Sequence, residues 1–94
     1  MTIKQLKDKE KKVYLTGKVI EKKTSVIPRI NIKAANIILE DDTGKCDVSI
    51  YGGKVNEVQE GDTIMICNAL CKGEYMGMKK VTLGKYGYII KKVE

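Results

Sequence analysis

Histidine is absent from this chain, as are tryptophan and phenylalanine, and proline occurs once. The lack of histidine removes the usual general base, the commonest metal ligand and the central member of a hydrolytic triad together. The three cysteines include no C-x-x-C pair, which argues against a zinc knuckle or a disulfide framework. Cys67 and Cys71 are four apart in a strand-like run, so their Cα atoms stand roughly 13 Å apart, too far to bridge. Free thiols point to a reducing compartment. The longest apolar run, Ile64 to Cys67, is far too short to cross a bilayer, and the opening MTIKQLKDKEKK lacks the apolar stretch of a signal peptide. The expectation is an intracellular, soluble protein of cytoplasm or nucleus, without a membrane partner. Arginine is scarce as well: seventeen of the eighteen basic residues are lysine, Arg29 being the exception. Lysine meets phosphate as a point charge, whereas arginine forks onto base edges, so the balance favours backbone attraction.

What is present fits a single domain over residues 1–94. The net charge of +6 suggests a polyanionic partner. Apolar residues recur with period 2 along most of the chain, the mark of strands with one face on a core. The clearest stretch is NIILEDDTGKCDVSIY from Asn36 to Tyr51. There Ile37 and Leu39, then Cys46, Val48 and Ile50, take one face, and Asp41 to Gly44 form a hairpin turn. Around it the pattern predicts a first strand over Lys12 to Lys22, curved at Gly17, and a loop from Lys23 to Asn31. Further strands are predicted over Ile32 to Glu40, Lys45 to Tyr51, Thr63 to Lys72 and Lys79 to Leu83, with a last extended segment from Tyr88 to Val93. Val55 and Val58 are spaced for one helical turn. Thr2 to Glu10, with Ile3 and Leu6 spaced as one amphipathic turn, either seals a barrel end or frays; sealing is favoured. Five or six short strands without helical periodicity or repeats read as a small all-β barrel.

Enzymatic motifs do not survive inspection. Gly52-Gly53-Lys54 resembles part of a phosphate loop, but Val55 stands where Ser or Thr is required. Glu40, Asp41 and Asp42 lack any calcium-loop spacing, and the cysteines sit in strand patterns without an activating neighbour. The expectation is a non-catalytic protein with no cofactor and no metal. In a small barrel of this kind, oligonucleotides lie across the second and third strands, between the loops joining strands 1–2 and 4–5. On that scheme Lys22, Lys23, Arg29 and Lys33 bracket the first loop, and Lys72, Lys79 and Lys80 bracket the second. Tyr51 ends the third strand on its outer face, and Tyr75 sits in the second loop. Aromatics among lysines can stack bases while tracking a phosphate backbone.

Six segments carry a family resemblance: V-x-L-T-G-K-V (13–19), L-E-D-D-T-G-K (39–45), V-S-I-Y (48–51), V-Q-E-G-D (58–62), I-C-N-A (66–69) and Y-M-G (75–77). Together they resemble the single-domain OB-fold proteins that bind single-stranded DNA, the archaeal replication-protein-A-like domains and the B subunit of the eukaryotic sensor-of-single-stranded-DNA complex. The resemblance implies a five-stranded OB-fold barrel with one short helix and an extra C-terminal strand. It implies single-stranded DNA as partner in replication or repair, with other replication or repair subunits as further partners. The stacking aromatic that closes strand 3 in that family matches Tyr51, and the loop aromatic before a glycine matches Tyr75. Two departures are visible: Leu70 and Cys71 stand where the family often has an aromatic, and Gly84 replaces another, with Tyr86 as its nearest substitute. The alternatives are an assembly subunit whose barrel wall holds a protein, and an RNA-binding protein of similar fold, since stacking and lysines serve both polymers.

Overall fold

The computed structural model describes residues 2–92, and Val93, the expected end of the last strand, lies outside them. Six strands follow one another: β1 (Val13–Ile27), β2 (Ile32–Asp41), β3 (Gly44–Tyr51), β4 (Thr63–Tyr75), β5 (Met78–Thr82) and β6 (Tyr88–Lys92). The sheet order is β1-β2-β3-β5-β4, closed into a barrel by pairing of β1 with β4, and β6 adds to the outside edge of β4. All pairings are antiparallel except β3 with β5, where Cys46 to Ser49 run beside Lys79 to Thr82.

Closure depends on β1, which pairs with β4 over Val13 to Lys18 and with β2 over Lys18 to Ile27. To serve both, the strand must bend. Its register slips between Val19 and Glu21, and at Gly17 a Cβ would stand 2.6 Å from the carbonyl oxygen of Glu40. Only glycine admits that approach, which is the curvature anticipated for Gly17.

Alternate residues of the barrel strands turn inward. Val13, Leu15, Ile37, Leu39, Cys46, Val48, Ile50, Ile64 and Ile66 are fully buried and form one core. One barrel end is sealed by a 3₁₀ turn over Ile3–Gln5, which buries Ile3 and then Leu6. This segment is pinned to the β2–β3 turn: the Ile3 amide donates to Asp41 Oδ2 at 2.9 Å and the Lys4 amide to Thr43 Oγ1 at 3.0 Å. A second 3₁₀ segment, Gly52–Glu57, buries Val55, and Val58 is buried just beyond it. No helix among the described residues is long and apolar enough to cross a membrane.

Two expected boundaries move. Thr24, Ser25 and Pro28 make Lys23 to Asn31 read as loop, yet β1 continues to Ile27 and pairs Thr24 with Ala35, Ser25 with Ala34 and Val26 with Lys33. Likewise β4 runs to Tyr75 and β5 starts at Met78. Met76 and Gly77, at φ 53° and 79°, make the two-residue type I′ turn that matches strand twist. In both places the hairpin arms supply each other's backbone hydrogen bonds, and that pairing outweighs weak local strand propensity.

Candidate nucleic-acid interface

The outer wall over β1, β2, β3 and β5 is built by the residues that alternate with the core. Pairing aligns them into rows: Ser25, Ala34 and Tyr51; Lys23, Asn36, Ser49 and Thr82; Glu21, Ile38, Asp47 and Lys80. The middle row continues onto Leu70 of β4, opposite Thr82. Between Lys23 at one end and Leu70 at the other, Asn36, Ser49 and Thr82 make a strip of short uncharged side chains able to donate and accept, flanked by aromatic rings.

Tyr51 ends β3 on this wall and is 40% exposed. The 3₁₀ segment turns away immediately behind it through Gly52, at φ 64°, and a Cβ on either Gly52 or Gly53 would meet nothing within 4 Å. Tyr75 lies at the tip of the β4–β5 hairpin, 65% exposed, with Lys80 Nζ 5.8 Å from its ring centroid. Tyr86, in the β5–β6 link, is 76% exposed and borders a cleft of about 320 Å³ that includes Leu70 and Thr82. Its backbone carbonyl accepts from Asn68 Nδ2 at 3.3 Å, and Lys85 Nζ lies 5.6 Å from its ring. The three tyrosines thus stand around one strip, reached from three different segments of chain.

No family model matches the sequence, and no curated protein is significantly similar to it. The backbone, however, is similar to two solution structures. One is a replication factor A-related protein from Methanobacterium thermoautotrophicum, with TM-score 0.79 and 24% identity over 97% of this chain and 88% of that one. The other is the OB domain of Ta0387 from Thermoplasma acidophilum, with TM-score 0.75 and 22% identity over 97% and 84%. The fold is the OB fold. The strip described above lies on the β2–β3 wall of the OB barrel, the wall on which this fold holds oligonucleotides and oligosaccharides.

On the OB barrel the expected lysines do not gather as one group. Lys23 is on the outer wall, its ammonium 3.5 Å from Glu21. Lys22 faces the opposite side of the β1–β2 arm, where Nζ donates to the carbonyls of Val55 and Val58 at 2.6 Å each. Lys33 is also on that side and shares with Lys22, Val26, Val55 and Asn56 a cleft of about 290 Å³. Lys79 aligns with the inward residue Cys46 at the sealed barrel end and is held 3.7 Å from both Asp8 and Glu74. Lys80 is on the wall but paired to Asp47 at 2.5 Å. Arg29, in the turn of the first hairpin, and Lys72, at the bulge of β4, are exposed and make no ion pair among the described residues.

Sequence reasoning did not single out Asn36, Asp47 or Thr82. Their outward alternation was visible, but the parallel pairing of β3 with β5 that sets Thr82 beside Ser49 has no local signal. Of the two family departures, Cys71 points into the core and is fully buried, so Leu70 alone occupies a possible platform position. Burial, and secondarily the charges of Asp41 and Asp47, push the Cys46 thiol up to about 12, which leaves it no thiolate character for nucleophilic chemistry.

Proposed function

We propose that this OB domain binds single-stranded nucleic acid without catalysis, DNA before RNA, by stacking bases on Tyr51, Tyr75 and Tyr86 and drawing the phosphates to Lys23, Arg29 and Lys72. One observation carries the reading: exposed tyrosines from three separate segments surround a strip of Asn36, Ser49 and Thr82 on the OB barrel's β2–β3 wall. Large aromatics left in water at such a place offer π-faces to bases of any sequence. The replication factor A-related neighbour supports a role beside replication or repair proteins.

A second reading has its own support. On the opposite wall Tyr14, Tyr88 and Ile90 are 45%, 49% and 44% exposed, and β6 leaves one edge unpaired among the described residues. Such a wall suits an assembly subunit that holds a protein partner. Fluorescence polarisation with labelled single-stranded DNA, single-stranded RNA and duplex separates the two. Preferential binding of the single strands supports the first reading, and binding of none of them favours the second.

A further inference from the structure

Asp47 is the only charged residue buried among the described residues, at 8% exposure, yet it belongs to the outer wall. It sits between Ile38 of β2 and Lys80 of β5. Lys80 holds its Oδ2 from the β5 side, whereas Oδ1 is covered and has no hydrogen-bond partner. A buried carboxylate oxygen without a donor is costly, and native folds rarely leave one unanswered. The residue also lines a cleft of about 180 Å³ with Glu21, Lys23, Asn36 and Ile38. Glu21 and Lys23 form only a surface pair, their side chains 49% and 79% exposed, so the rim of the cleft can rearrange at little cost. Ser49 and then Tyr51 follow on the same face of β3, so a strand with one base on Tyr51 carries its neighbours past this cleft.

We infer that the cleft is a base-reading site that selects an exocyclic amino group, taking cytosine in preference to uracil or thymine. The inference rests on the reading of this wall as a single-strand surface. A carboxylate only accepts. The cytosine N4 amino group donates to it, whereas uracil and thymine place the O4 carbonyl at the same point, oxygen against oxygen. The Asn36 amide can donate to the O2 or N3 of cytosine, and Ile38 offers the ring an apolar floor. Lys23 at the rim of the cleft can hold the phosphate of the strand while its base enters.

The test is polarisation titration of oligo(dC) and oligo(dU) of equal length, at mildly alkaline pH where oligo(dC) is unstructured. The protein is compared with Asp47→Asn and Asn36→Ala. Oligo(dC) should bind about tenfold more tightly than oligo(dU). In Asp47→Asn, where the amide can donate to O4, the ratio should fall to parity or reverse. Asparagine keeps the size of Asp47 and an oxygen for Lys80; should that variant nevertheless unfold, Asn36→Ala decides the matter by lowering the ratio. Equal affinity for both strands, lost in Tyr51→Ala, overturns the base-reading site while leaving strand binding in place, and Oδ1 then has water as its partner. A dC preference that survives in folded Asp47→Asn overturns the assignment to Asp47. Binding of neither strand overturns the underlying reading as well.

Discussion

At Tyr51, position and chemistry separate cleanly. The residue belongs to a strand whose alternate members, Cys46, Val48 and Ile50, are fully buried, while its own ring lies on the outer wall beside the small side chains of Ala34 and Ser49. Removing the ring therefore takes little from the core. A base stacked on an aromatic contributes about 1–3 kcal/mol. Tyr51→Ala should weaken single-strand binding by some five- to hundred-fold, with the thermal midpoint nearly unchanged. Tyr51→Trp should bind at least as well, and because the chain has no other tryptophan, quenching of its fluorescence by a bound strand reads stacking directly. A Tyr51→Ala variant that binds like the parent removes the ring from the site and moves the assembly-subunit reading ahead.

The element that rewards attention is the β2–β3 turn, because it fastens the N-terminal segment as well as itself. Asp41 accepts from the Ile3 amide at 2.9 Å through Oδ2, and from the amides of Thr43 and Gly44 at 2.7 and 3.1 Å through Oδ1. Burial opposes its ionisation, but the Thr43 hydroxyl and these backbone N–H groups outweigh that and hold its carboxyl below the ordinary value. Asp62 is held low in the same direction by the Gln59 amide and then by Lys91. A carboxyl that ionises more readily folded than unfolded stabilises fully above its ordinary value of 3.8 and loses that contribution as pH falls past it towards the lower folded value. Thermal melts should accordingly lose midpoint on acidification below about pH 4, and Asp41→Ala should blunt that acid dependence. At neutral pH Asp41→Ala should cost about 1–3 kcal/mol and accelerate hydrogen exchange at Leu6, as its N-terminal anchor is released. An unchanged melting profile in Asp41→Ala would mean that the sealing turn holds by the burial of Ile3 and Leu6 alone.

For the molecule as a whole, the charge of +6 favours any polyanion in a salt-dependent way, and on the proposed function only some of the lysines are free to take part. With about three to five phosphate contacts, log K should fall with log salt at roughly −0.7 per contact for a single strand. Neutralising Arg29 and Lys72 should flatten that slope without altering preference between sequences. Neutralising Lys22, whose ammonium is spent on the Val55 and Val58 carbonyls, should lower the thermal midpoint and leave the slope alone. A slope that responds to Lys22 as strongly as to Arg29 and Lys72 would contradict this division of the lysines.

The barrel itself was legible in the chain. Period-2 burial, the hairpin over Asp41 to Gly44, the curvature at Gly17 and the outward place of Tyr51 all follow from residue order, because a strand's faces alternate whatever it pairs with. The lengths of the hairpin arms were not legible, since Ser25 and Gly73 lack strand propensity and only their partners across the arm make them strands. Nor was the fate of the lysines. Lys22 and Lys23 are adjacent in sequence, yet one donates to the carbonyls of Val55 and Val58 and the other stands in solvent, because successive side chains of a strand point to opposite faces and β1 passes the Gly52–Glu57 segment on one face only. The parallel pairing of β3 with β5 decided the most: it set Lys80 against Asp47 and Thr82 beside Ser49, bringing together residues more than thirty positions apart that no local pattern connects.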